Sequence, residues 1–240
     1  MYSEELMASG AVLWRSRGGG PAAISADGCV DLILRGEEIL VAGPSTRWIS
    51  TLPDADDDTV GIRLAPGAAT TTLPLDLAEL RDQLVSLRDV SGGETVSTLR
   101  DVLLRARSSP RALGLLERAD LPLGPAPGWT AQVRRRAQRG TSARSAAAEL
   151  SWSEREFRRQ MLARFGYGYG ALVRIERVQR AQALIQGGAT LSDAAVASGY
   201  ADQPHLTREF RRLVGATPAQ FAASAAKRST ELPSGSSRVA

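Results

Sequence analysis

The chain has 240 residues, 43% hydrophobic and 23% charged, enough for one large domain or two ordinary ones with a real core. A single cysteine, Cys29, leaves no partner for an internal disulfide, and a single histidine, His205, lies far from it in sequence. Zinc sites of the His and Cys kind cannot be assembled, so neither metal nor cofactor is expected.

The formal net charge of +4 hides a division. Residues 1–128 hold 12 arginines against 18 acids (−6), while residues 129–228 hold 16 arginines and Lys227 against 7 acids (+10). Such a split points to an acidic module joined to one that meets a polyanion. All basic residues but one are arginine, the side chain suited to bidentate contact with phosphate and guanine. The opening MYSEELMASGAVLW lacks the basic start and apolar run of a signal peptide, and no window approaches the roughly 20 apolar residues of a membrane span. A cytoplasmic protein without membrane contact is the resulting expectation.

Strand-like segments come first: CVDLIL (29–34), EILVAG (38–43), RWISTL (47–52) and TVGIRL (59–64), separated by glycine and proline turns. They predict a small antiparallel sheet or partial barrel. From Asp76 the spacing of Leu77, Leu80, Leu84 and Leu87 predicts a helix, with further helices near 94–107 and 110–119. Residues 1–120 are therefore read as one module, and LPLGPAPG at 121–128 as a linker. Helices are then expected at 129–139, 142–150, 154–165, 171–186, 191–198, 203–214 and 218–226, followed by a disordered tail at 227–240.

Two stretches in the basic module look alike: SARSAAAELSWSEREFRRQMLARFG (142–166) and TLSDAAVASGYADQPHLTREFRRLVG (190–215). Each reads as a short helix of small residues, a turn of three or four residues and a second, capped helix. Ser153 with Glu156 forms a capping-box pattern, and Asp202 can cap the other helix, with Pro204 tolerated in its first turn. Phe157, Met161 and Phe165 in one, and Leu206, Phe210 and Leu213 in the other, recur at helical spacing and predict core faces. The remaining faces offer Arg155, Arg158 and Arg159, and Gln203, His205, Thr207, Arg208, Arg211 and Arg212, donors for bases and phosphates. A merely solvated charged face is the alternative for either helix alone; the repetition argues against it.

GYADQPHLTREFRRLVGATPAQF resembles the signature of the AraC/XylS family of transcriptional regulators, through Gly199 and Tyr200 at the turn, Leu206 and Phe210 in the core and the closing Gly215, Thr217 and Pro218. The resemblance covers about residues 129–225; methionine at 161 replaces a more usual phenylalanine. It implies a double helix-turn-helix domain at 129–226 whose groove readers are helices 154–165 and 203–214. A joining helix over 171–186, at ~1.5 Å per residue, spans roughly 24 Å, which with its turns suits two readers about 34 Å apart, one turn of DNA. By position, Arg155 and Arg159 are base or phosphate contacts, Gln203 and Arg208 base readers, and Arg158, Thr207 and Arg212 phosphate clamps, while His205 fits either role or none.

The first module resembles an N-terminal domain of some AraC-type regulators, related to small cupin-like sensory barrels, through DGCVDLIL, VAGP and IRLAPG. It has no histidine ligand for cupin metal chemistry. Asp31, either inside a barrel or on an exposed face, could pair with Arg63; Trp48 could stack on a ligand or serve as a core aromatic. Cys29 reads as a small buried apolar residue rather than a redox sensor, and Asp54, Asp56, Asp57 and Asp58 as a solvated loop, since the glycine and glutamate spacing of a calcium loop is absent. No catalytic residue is expected: a DNA-alkylation repair enzyme would need a cysteine cluster, and Cys29 stands alone. The expected partner is double-stranded promoter DNA, with a small organic effector, a second copy of the chain in a homodimer and, for an activator, RNA polymerase left open.

Overall fold

The structure, a computed structural model, describes residues 2–17, 22–51, 58–73, 75–109, 111–119, 121, 123 and 126–231. The strands among them are β1 (Tyr2–Leu6), β2 (Val12–Ser16), β3 (Ala22–Ile24), β4 (Val30–Arg35), β5 (Glu38–Ala42), β6 (Ile49–Thr51), β7 (Thr59–Leu64) and, after helix α1 (Ala69–Thr72), β8 (Leu84–Ser86). Six form an antiparallel sheet in the order β1-β2-β7-β4-β5-β8, and β3 pairs with β6 apart from it. The period of two is clearest in β4, where Val30, Leu32 and Leu34 are buried while Asp31 and Ile33 take the other face.

The buried face is closed by α2 (Leu87–Val90), α3 (Gly93–Arg107) and α4 (Ala112–Arg118). Helix α3 turns Val96, Leu99, Leu103 and Ala106 inward, spacing that keeps one helical stripe on the sheet. Leu13, Leu32, Leu34, Val41, Ile62, Leu99, Leu103 and Leu116 are no more than 1% exposed in this core. Each such side chain contributes about 1.5–3 kcal/mol by leaving water.

The helix expected from Asp76 does not form. Residues 77–82 make turns, Leu84 lies on the edge strand β8 and is 55% exposed, and only then does the short α2 begin at Leu87. Leu77, Leu80 and Leu87 are buried, but the first two from turns and the third from the start of α2, so their spacing imitates a helical stripe.

After Pro127 the described chain is helical: α5 (Gly128–Gln138), α6 (Ala143–Ala148), α7 (Glu154–Phe165), α8 (Tyr169–Gln186), α9 (Leu191–Ala197), α10 (Gln203–Val214) and α11 (Pro218–Glu231). A second hydrophobic cluster gathers Phe157, Met161, Phe165, Leu172, Ile175, Val178, Leu206 and Phe210. Helix α8 starts two residues earlier than the expected 171, and α11 continues to Glu231, past the expected tail start at 227. Residues 232–240, and Asp54, Asp56 and Asp57 of the acidic run, lie outside the described residues. None of the described helices is long and apolar enough to cross a membrane.

Candidate nucleic-acid interface

The two similar stretches fold as two helix-turn-helix units built from matching parts. The first helices are capped by Ser142, whose hydroxyl accepts from the Ser145 N–H (3.1 Å), and by Thr190, which accepts from the Asp193 N–H (3.1 Å). The second helices are capped by Ser153, accepting from the Glu156 N–H (3.1 Å), and Asp202, accepting from the His205 N–H (2.6 Å). Each bond satisfies one of the orphan donors at a helix start. The turns cover 149–153 and 198–202, longer than the expected three or four residues.

The reciprocal half of the capping box is missing. Glu156 turns instead to the Arg159 guanidinium, accepting from Nε at 2.9 Å and Nη2 at 2.7 Å, and to Gln160 at 2.8 Å. That bidentate charge-assisted geometry outcompetes a single neutral backbone donor. The guanidinium also holds Glu156 below the ordinary carboxylate range.

Both second helices stop at a left-handed glycine, Gly166 (φ 75) and Gly215 (φ 79), whose N–H closes on the Leu162 and Arg211 carbonyls. No other residue adopts this conformation without strain. Phe157, Met161 and Phe165, and Leu206, Phe210 and Leu213, all lie at 0–3% exposure beneath the exposed faces.

On α7, Arg155, Arg158 and Arg159 are exposed; among the described residues Arg155 and Arg158 have no ion-pair partner, whereas Arg159 is held by Glu156. On α10, Gln203, Arg208, Arg211 and Arg212 are exposed, and Arg208 likewise has no ion-pair partner among the described residues. Arg212 Nη1 lies 3.8 Å from Glu209. Gln203 accepts from the Ser192 hydroxyl of α9 (3.3 Å), which ties the start of α10 to the preceding helix. Thr207 donates its hydroxyl to the Gln203 carbonyl (2.9 Å), so its proton is used within the helix. His205 sets its ring edge-on to Tyr200 at 5.2 Å, and Arg177 lies over the same tyrosine at 5.5 Å. Burial pushes the Tyr200 hydroxyl up to about 12, with Glu209 adding to the shift.

The three candidate ligand residues of the sheet region are not gathered at one place. Asp31 and Arg63 face each other across β4 and β7, with Arg63 Nε 3.2 Å from Asp31. Trp14 Nε1 donates to Asp31 (2.6 Å), and Arg63 also reaches Glu4 (3.0 Å) and Asp27 (3.5 Å). Burial raises the Asp31 carboxyl to about 6, against the opposing pull of Arg63. Cys29 is half-buried and its thiol is pushed up, first by burial and then by Asp27 and Asp31. No group of three His, Cys, Asp or Glu among the described residues could hold a metal.

Trp48 lies elsewhere, with its ring against Gly215: a Cβ there would sit 2.7 Å from Trp48 Cδ2. Its N–H donates to the Arg212 carbonyl (3.4 Å), and the Ala26 N–H donates to the Leu213 carbonyl (2.7 Å). The last carbonyls of a helix have no partner within it, so the sheet region completes the end of α10. Each such bond contributes about 0.5–1.5 kcal/mol. At the end of α7, Arg164 donates to Thr70 (2.9 Å), and Gly166 packs on Leu77 and Pro44. Sequence reasoning missed this contact, because backbone donors leave no trace in residue identity; the repeated closing glycines were its one legible sign.

Residues 146–224 match the family model of a helix-turn-helix domain, and residues 11–86 match that of a domain of unknown function (DUF6597). No curated protein matches the chain. Among solved structures, the C-terminal domain of AraT, a response regulator from Geobacillus stearothermophilus, is 19% identical over 41% of this chain and 86% of that one, with a TM-score of 0.38. A DNA-binding transcriptional dual regulator from Escherichia coli K-12 is 26% identical over 40% of this chain and 94% of that one (TM-score 0.36). ToxT from Vibrio cholerae O395, bound to (E)-4-(8-methylnaphthalen-1-yl)but-3-enoic acid, is 12% identical over 93% of this chain and 99% of that one (TM-score 0.48). With its matched region and paired helix-turn-helix units, the chain carries a helix-turn-helix domain behind a domain of unknown function.

Proposed function

We propose that this protein regulates transcription by reading two successive major-groove segments of promoter DNA, one with α7 and one with α10, and that its N-terminal region modulates the reading. The observation that carries the proposal is the repetition itself: two units with the same caps and the same glycine stop, each presenting exposed arginines, joined by α8. At 18 residues and ~1.5 Å per residue, α8 is roughly 27 Å long, which with its flanking turns suits readers one DNA turn apart. The roles proposed are base reading for Gln203 and Arg208, base or phosphate contact for Arg155 and Arg159, and phosphate contact for Arg158 and Arg212. Thr207 is assigned to a phosphate that its hydroxyl reaches by turning its proton from the Gln203 carbonyl to the phosphate oxygen, and His205 is assigned to holding Tyr200. On this reading the protein is a cytoplasmic binding protein rather than an enzyme. Selection of bound DNA from a random pool tests it: a two-part motif with segments about 10 bp apart is expected, with affinity falling steeply as salt rises. Recovery of unrelated sequences would refute specific reading.

A second reading makes the N-terminal region an interaction or dimerisation module with no small effector. It is favoured by the packed inner face of the sheet and by the mutual neutralisation of Asp31 and Arg63 on the outer one. A dimer of the full chain by sedimentation, with no stabilisation across a metabolite thermal-shift screen, separates it from effector sensing.

A further inference from the structure

The loop that follows β5 touches both readers at the same place. Pro44 lies against Gly166, where a Cβ would meet its Cγ at 2.8 Å, and Trp48 lies against Gly215. Five residues of chain, Pro44 to Trp48, therefore bridge the C-terminal ends of α7 and α10. The bridge is stiff. Asp82 accepts from the Thr46 N–H (2.6 Å) and hydroxyl (2.8 Å), and it does so from a left-handed backbone (φ 58) that a non-glycine residue adopts at a cost. The Gly28 N–H also donates to the Ser45 carbonyl (3.0 Å), tying the loop to the segment that carries Ala26.

Helix-turn-helix readers meet bases with the N-terminal part of the second helix. Here the N-terminal region holds the opposite ends and leaves Arg155, Arg158 and Arg208 exposed. The contact thus restrains where the readers sit without covering what they present.

We propose that the 44–48 loop is a brace that sets the position of α10 relative to α7, with Trp48 as its positioning residue, so that the docked form is the form that reads DNA. The proposal rests on the two-reader function above. Two rigidly held readers gain from each other's binding, whereas loosely held ones must spend affinity on being ordered.

The test uses the full chain and two duplexes: the selected two-segment site, and the same site with the α10 segment scrambled. Wild-type protein is expected to prefer the two-segment site strongly. Trp48→Ala is expected to weaken binding to that site about tenfold, within the usual range of coupling between sites, while leaving the scrambled site within about twofold. Asp82→Ala, which frees the loop without touching the helical domain, is expected to act in the same direction, and Trp48→Phe to restore most of the preference. Because Trp48 is 40% exposed, its loss leaves both cores intact, which the thermal unfolding midpoint verifies. A preference kept intact in both Trp48→Ala and Asp82→Ala overturns the brace alone; tighter binding by either variant overturns it too, by showing that docking opposes reading. A wild-type protein with no preference overturns the two-reader function and the brace together.

Discussion

The two helix-turn-helix units share a scaffold and differ in what they do with it. Both second helices run for 12 residues from an oxygen cap to a left-handed glycine. In the first, the arginine one turn in is already engaged by Glu156; in the second, Arg208 is exposed with no ion-pair partner among the described residues. The first also places a serine, Ser151, at φ 57, where the second has Gly199 at φ 80. The end of α10 is completed by backbone donors from Ala26 and Trp48, while the end of α7 meets the N-terminal region through the Arg164–Thr70 hydrogen bond and the packing of Gly166 on the Leu77 backbone and Pro44. Repetition therefore fixes where donors stand, and local charge decides how available each is.

The shared scaffold can be broken first. Phe210 and Met161 occupy the same position in the two units at 0% exposure. Phe210→Ala is expected to cost about 3–5 kcal/mol and Met161→Ala about 2–5 kcal/mol, measured by denaturant unfolding. A loss below 1 kcal/mol at either would mean that the unit is not held by this core.

Next comes the contrast in availability. Arg208→Ala is expected to cost about 1–3 kcal/mol of affinity for the selected site, the range of a bidentate base contact. Arg159→Ala should cost less, because Arg159 must leave Glu156 before it reaches DNA. Glu156→Gln should act in the opposite direction and tighten binding several-fold, since it frees the arginine and removes a negative charge from the interface. Titrations in which Glu156→Gln weakens binding would instead give the pair a positioning role.

The caps should be alike. Ser153→Ala and Asp202→Ala are each expected to lower stability by about 1 kcal/mol, and a much larger loss at one would show that the units are not equivalent there.

The smallest effect concerns the turns. Ser151→Gly is expected to stabilise the protein by up to about 1 kcal/mol, because a left-handed backbone costs an ordinary residue roughly that much. Calorimetry showing destabilisation would mean that the serine side chain offsets its own strain.

What could be read from the sequence follows the range of the interactions. The helical half was legible because its signals are local: a cap such as Ser153 or Asp202, an apolar stripe such as Phe157, Met161 and Phe165, and a closing glycine. Strand β7 also matched its expected span, 59–64, bounded by turn residues. Strand β1 passed unnoticed because all five of its residues are exposed at a sheet edge, so no alternation marks it. The leucines at 77, 80 and 87 misled because burial in a turn and burial in a helix leave the same residue type. The pairing of Asp31 with Arg63 was open in the sequence and is explained by register, since the two stand opposite each other on neighbouring strands. Trp48 reads in sequence as a ligand platform or a core aromatic; it is 40% exposed and lies on Gly215, a neighbour distant in sequence, and one of its two links is a backbone hydrogen bond.

Regulation as proposed requires two readers to enter one face of the DNA together. Chemical footprinting of the full chain on its selected site tests this directly. Two protected major-groove patches about 10–10.5 bp apart on the same face are expected, the first lost in Arg155→Ala/Arg159→Ala and the second in Arg208→Ala. A single patch, or two patches on opposite faces of the duplex, would contradict it.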